Sequence, residues 1–230
     1  MNKHFLPVLT GLALVMTGCS TNNGTYQYPF KSAKIEYAIS GTTEGKSVVT
    51  MKGDKSVREA HIVFHKPAGD ENQSNLYIDE GKYVYSIDLE KKTGTMTKNP
   101  LYEVLMGTEP ARRQELLKKV AVGISPDESS SKELKVVGHE TVAGKECDVY
   151  ETGGFGQICL WNAIPLKTSI SIPDLGLNNN TVATSIQIDL DVPDSVFEVP
   201  AGVTVQKINV GDDGSQQTAS PEVKTGTTQQ

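Results

Sequence analysis

The chain has 230 residues, 28 acidic against 22 basic side chains, a formal net charge of −6 and 37% hydrophobic residues. That length suits one domain with a sizeable core. The acidic balance argues against a nucleic-acid partner, because phosphates require a basic face.

Lys3 and His4 precede an apolar run from Phe5 to Met16. The run is too short to span a bilayer, which takes about 20 residues, and has the length of a secretory h-region. It ends in Met16-Thr17-Gly18-Cys19, which resembles the bacterial lipobox, with Met16 where leucine or another aliphatic is usual. Residues 1–18 are thus expected to be a lipoprotein signal peptide; the alternative is an ordinary signal peptide with a chance cysteine. The lipobox resemblance implies that Cys19 becomes an acylated (palmitate-bearing) N-terminus, and two or more acyl chains anchor a protein stably. Ser20 follows, not the aspartate that tends to hold enterobacterial lipoproteins at the inner membrane. The expected location is therefore the outer membrane, facing the periplasm, with membrane contact through the anchor.

Residues 19–29 are rich in Asn, Thr and Gly and read as a flexible tether. From Ser32 the pattern has period two: Ile35, Tyr37 and Ile39 alternate with Lys34, Glu36 and Ala38. Turns at Gly41–Gly45, Gly53-Asp54 and Glu80-Gly81 separate further strand patterns in a meander. The period then becomes helical. Asn99-Pro100 suits a helix start before Leu101, Val104 and Leu105. A second helix is expected after Thr108 or Glu109, with Pro110 in its first turn. Its apolar stripe is read as Leu117, Val120, Ala121 and Ile124, with Arg112, Arg113, Lys118 and Lys119 facing water and Gly123 ending it. Strands resume at 134–137, 145–151, 157–161, 166–172 and 181–190, with a short one at 204–208. From Gly211 the composition offers little to bury, and residues 211–230 read as a disordered tail. About ten strands are expected, with the helix pair inserted after the sixth.

Cys147 and Cys159 form an even pair in an exported chain, where disulfides persist. Centring a hairpin on Gly153 puts the two directly opposite, at the roughly 4.5–5.5 Å separation a disulfide needs. The alternative, free thiols or half a zinc site, supplies only two ligands where three or four are needed. No metal or cofactor is expected. His61 and His65 share a strand face but lie about 13 Å apart, too far to share an ion. Gly153-Gly154-Phe155-Gly156 joins strand to strand, whereas a phosphate loop opens a helix. Asp189, Asp191 and Asp194 lack the spacing of a calcium loop. No Gly-x-Ser-x-Gly elbow occurs, and the chain is expected not to be an enzyme.

Three segments together resemble a known family: Gly138-His-Glu-Thr-Val-Ala-Gly-Lys-Glu-Cys-Asp-Val-Tyr150, Leu160-Trp-Asn-Ala-Ile-Pro-Leu-Lys167 and Phe197-Glu-Val-Pro-Ala-Gly-Val203. With the lipobox and the strand–helix–strand layout, they look like the LolA/LolB-like superfamily of lipoprotein-sorting proteins. The resemblance implies one domain over 30–210, an α+β but mainly β fold: a strongly curved antiparallel sheet (a half-open β-barrel) with the helix pair covering its concave face. It also implies an apolar cavity for an acyl chain or other lipid, for which Tyr83, Tyr85, Trp161, Ile170, Ile186 and Ile188 are candidate lining. The missing helix before the first strand and the cysteine pair set this chain apart from the carriers. The alternative role is an envelope protein-interaction or stress-sensing module, with a protein partner and a vestigial cavity.

Overall fold

A computed structural model describes residues 28–65, 69–124, 133–152, 154–210 and 216–218; Cys19 and the expected signal peptide lie outside them. Six strands come first: β1 (Ser32–Gly41), β2 (Thr43–Lys52), β3 (Lys55–Phe64), β4 (Glu71–Asp79), β5 (Tyr83–Asp88) and β6 (Thr93–Lys98). Helices α1 (Pro100–Gly107) and α2 (Pro110–Ala121) follow. The chain continues through β7 (Val136–Val142), β8 (Lys145–Glu151), β9 (Gly156–Trp161), β10 (Ile164–Ile172) and β11 (Leu177–Ile188). It closes with β12 (Thr204–Val210) and β13 (Gln216–Thr218).

The strands form one sheet in the order β13-β12-β6-β5-β4-β3-β2-β1-β11-β10-β9-β8-β7, whose two ends do not pair, so among the described residues it is open. Every pair is antiparallel except β12 with β6. The helix pair follows the sixth strand, as the sequence implied. The strand count exceeds ten partly because Thr93–Lys98 is a polar run in which Met96 alone is buried. Gln216–Thr218, inside the expected tail, pairs with β12.

Local chemistry explains the turns. Ala143-Gly144 joins β7 to β8 and Asn162-Ala163 joins β9 to β10, with positive φ at all four residues. Such two-residue turns match the twist of the strands they join. The strand expected to start at 166 therefore starts two residues earlier, at Ile164; Pro165 sits inside β10 beside a bulge, where its missing N–H is tolerated. The strand expected at 134–137 lies at Val136–Val142 instead, running up to the Ala143 turn. At Gly156 a Cβ would overlap the Ser169 carbonyl, so only glycine lets β9 approach β10 there.

The apolar face of the sheet changes sides between β2 and β3. Directly paired residues share a face. Met51 pairs with Ala33 and Ser56, and on that face Ala33, Ile35, Tyr37 and Met51 form one core with Ala183, Leu166 and Ile164. Val57 is the next residue after Ser56 and so points the other way. It pairs with Ile78, Ile78 with Tyr85, and Tyr85 with Met96, forming a second core. Residues 190–203 leave the middle of the sheet after β11, cross this second face, and place Val192, Phe197 and Val203 on it before entering β12 beside β6.

Asn99 caps α1 by accepting from the Leu101 N–H at 3.0 Å, with Pro100 at the first position. Glu109, not Thr108, is the N-cap of α2, without a side-chain bond. At its end the Ile124 N–H donates to Lys119 and the Gly123 N–H to Val120, a Schellman stop with Gly123 at φ 87°. Its buried residues are Leu116 and Lys119, one position off the expected stripe. Lys119, expected in water, is 8% exposed and pairs with Glu115 at 2.9 Å. The end of α2 packs Val122 against Tyr150, Ile158 and Leu160, so β8 and β9 are buried on both faces.

Candidate ligand cavity

Cys147 and Cys159 are bonded, with Cα atoms 5.4 Å apart. Their register differs from expectation. Thr152 donates to the Gly156 carbonyl at 3.0 Å, which centres the turn on Gly154, and Val149 rather than Cys147 stands opposite Cys159. The bond is diagonal, and both sulfurs stay on the face of the first core because the shift is an even number of residues.

Beside this core lies a cavity of about 380 Å³. Tyr37, Ser47, Val49 and Met51 of β1 and β2 line one side, with Ser56 and Arg58 of β3. Ile164, Pro165 and Thr168 of β10 and Thr181 of β11 line the other, and Tyr28 covers it. Its volume is at the small end for ligand sites. A smaller space of about 100 Å³ shares Tyr28, Met51 and Ser56 with it and is bounded by Tyr102 and Leu105 of α1 and Leu117 of α2. Tyr28, expected in the tether, thus belongs to the fold: it stacks on Phe30 at 5.2 Å, and Phe30 on Trp161 at 5.5 Å, with the Lys145 Nζ 5.2 Å from the indole.

Besides the hydroxyls of Ser56, Thr168 and Thr181, the cavity is lined by three polar groups with distinct surroundings. The Tyr37 hydroxyl donates to the Pro165 carbonyl at 2.9 Å, tying β1 to β10 across β11. Burial pushes this phenol far above its usual range, against the pull of the nearby Arg58 guanidinium, so it stays neutral. The Ser47 side chain is 2% exposed and its Oγ has no hydrogen-bond partner. Arg58 is exposed and makes no ion pair among the described residues.

The six residues expected to line a cavity do not come together. Tyr85 is buried in the second core, its hydroxyl donating to Glu80 at 3.2 Å, and Tyr83 packs against that core. Both are on the sheet face opposite the cavity, because the apolar side switches at β3. Trp161 and Ile186 pack against the first core, Ile170 is half-buried, and Ile188 is 40% exposed; none borders the 380 Å³ space. Sequence reasoning missed Ser47 and Arg58. Ser47 alternates in step with Val49 and Met51 on its own strand, whereas Arg58 joins that face only through the β2–β3 register, in which it pairs with Val49.

The other candidates stand apart. His61 bonds Ser74 and Glu59, each at 3.0 Å, while His65 bonds Asp70 at 3.0 Å. Asp189 accepts from the Lys31 N–H at 2.8 Å and Asp194 pairs with Lys52 at 3.0 Å. Among the described residues no three His, Cys, Asp or Glu converge as a metal site. Asp79 accepts from the Gly81 N–H at 2.7 Å and from Asn99, and burial raises its carboxyl above the usual range.

No family model matches the sequence, and no curated protein matches it. Solved structures do. The chain is similar to an uncharacterized conserved protein from Thermus thermophilus, at 10% identity and a TM-score of 0.47, over 78% of this chain and 91% of that one. It is similar to PNGF-II at 10% identity and a TM-score of 0.43, over 77% of this chain and 32% of that one. It is also similar to a chain of the Pseudomonas aeruginosa MucA/MucB complex, at 12% identity and a TM-score of 0.34, over 74% of this chain and 56% of that one. The chain therefore spans less than two thirds of the length of the last two.

Proposed function

We propose that this protein is a non-enzymatic, LolA/LolB-like lipoprotein of the outer membrane that holds an acyl chain or other lipid in the cavity beneath Tyr28. The observation that carries the reading is the 380 Å³ space, whose wall is more apolar than polar and includes Tyr28, Val49, Met51, Ile164 and Pro165. Two further features support a curved sheet. Strands β7 and β11, four places apart in the order, have Cα atoms within 8 Å of each other. Lys167 of β10 also reaches Glu140 of β7 at 2.6 Å over two intervening strands. In a flat sheet three strand spacings are about 14 Å. Cys19 supplies the anchor in this reading, and Cys19→Ala should release the protein from the membrane fraction. Native mass spectrometry and lipid extraction of the purified protein test the ligand. Co-purifying lipid is expected, and a chain that stays empty when offered acyl lipids would sink the proposal.

One observation favours a second reading, a protein-interaction module. Edge strand β7 carries Val136 and Val137 at 41% and 42% exposure, and no strand among the described residues pairs with its outer side. An open apolar edge accepts another chain's strand. Crosslinking from β7 that recovers one defined envelope protein, with no lipid in the cavity, would support this role instead.

A further inference from the structure

The cavity wall carries polar groups that a plain hydrocarbon chain would leave unused. Ser47 stands directly opposite Tyr37 on β1 and Ala60 on β3, and Arg58 is two residues from Ala60 on the same face. By strand geometry the Ser47 and Arg58 Cα atoms are about 8 Å apart, within the reach of an arginine side chain. Ser47 Oγ is buried without a partner at the cavity wall. Leaving a buried hydroxyl unsatisfied is unfavourable, and such groups in native proteins call for a ligand, an ordered water or another explanation. The Tyr37 proton is already committed to the Pro165 carbonyl. Among the other polar groups on the wall, which include the hydroxyls of Ser56, Thr168 and Thr181, Ser47 Oγ is the buried one without a partner and Arg58 is the cation. Two donors, one of them cationic, suit an anion.

We propose that the cavity selects a single-chain amphiphile with an anionic head group, the head accepting from Arg58 and Ser47 and the tail lying along Tyr28, Met51 and Ile164. The proposal rests on the lipid-binding reading above and narrows it. A small volume favours one chain over two, and the arginine favours a carboxylate or phosphate over an ester. This distinguishes the ligand from the neutral acylated glycerol of a lipoprotein anchor.

The test is equilibrium binding by the full-length protein to palmitate, to a monoacyl glycerol phosphate and to methyl palmitate, each below its critical micelle concentration. At least tenfold tighter binding of either acid than of the ester is expected, and the tighter acid names the head group. Arg58→Met should erase that preference by weakening the acids at least tenfold, while methyl palmitate still binds. Ser47→Ala should weaken the acid several-fold yet raise the melting temperature of the empty protein, a pair of effects that misfolding cannot produce. Equal binding of acid and ester by the wild type, or a preference that survives Arg58→Met, would overturn the head-group assignment and leave the lipid cavity standing. Failure of all three probes would overturn both.

Discussion

The two halves of the sheet meet the same requirement, covering an apolar face, in different ways. Over β3 to β6 the cover is the chain itself: residues 190–203 lie across the strands and Phe197, 1% exposed, fills the centre. Over β1, β2, β10 and β11 the aromatic pair Tyr28 and Phe30 packs against the core, and space remains beside Tyr28. A backbone laid flat brings side chains at every second or third residue and packs the face solidly. Two rings entering from one end cannot do so. The cavity occurs where the covering segment is short, and the disulfide lies in that half.

Breaking the packed half should have the largest effect. Phe197→Ala is expected to cost about 3–5 kcal/mol in urea unfolding, through lost burial and the hole left behind. Tyr28→Ala should cost much less, since the space beneath Tyr28 already exists; similar losses for the two would erase the contrast. Next comes the covalent link. Replacing Cys147 and Cys159 together by serine should remove about 3 kcal/mol, the value of closing a short loop. Amide exchange should rise in β8 and β9 well before it rises in β4 and β5. Ser47→Ala should act in the opposite direction and stabilise the empty protein by about 1 kcal/mol, because it removes a buried hydroxyl that lacks a partner. No smaller-is-worse substitution in the Phe197 half should behave this way.

The smallest effect concerns pH. Asp79 at the β4–β5 turn has its carboxyl raised by burial, partly offset by bonds from Gly81 and Asn99. The native state therefore keeps this proton to higher pH than the unfolded chain does. Stability from this group falls as pH rises from the ordinary value of 3.8 through the raised one. Asp79→Asn should flatten that fall, and unfolding curves across the acid range with and without the change measure it.

Much of the fold was legible from the residues. Period-two runs mark most strands, Asn99-Pro100 marks α1, and Gly123 marks the stop of α2, because backbone conformation there depends on neighbours a few residues away. The cysteine pairing was legible for the same reason, although the turn sits one residue later than expected, which makes the bond diagonal. The candidate site was much less so. Tyr83 and Tyr85 look as suitable as Tyr37 for lining a cavity, and alternation says which residues of one strand share a side. It does not say on which side of the whole sheet they fall.

The sequence by itself therefore determined most of the strands, the helix pair and the cysteine staple, since each follows from local patterning and short-range geometry. Tertiary structure alone decided that the apolar face changes sides at β3, that Lys119 is buried, and that Ser47 and Arg58 meet at one cavity. Those outcomes depend on the order of strands in the sheet and on which distant segment lies over each face. Residues 28 to 30 and 190 to 203 settle that through contacts spanning more than a hundred residues of chain, as in the stacking of Phe30 on Trp161 and the Lys52 bond to the Val192 carbonyl.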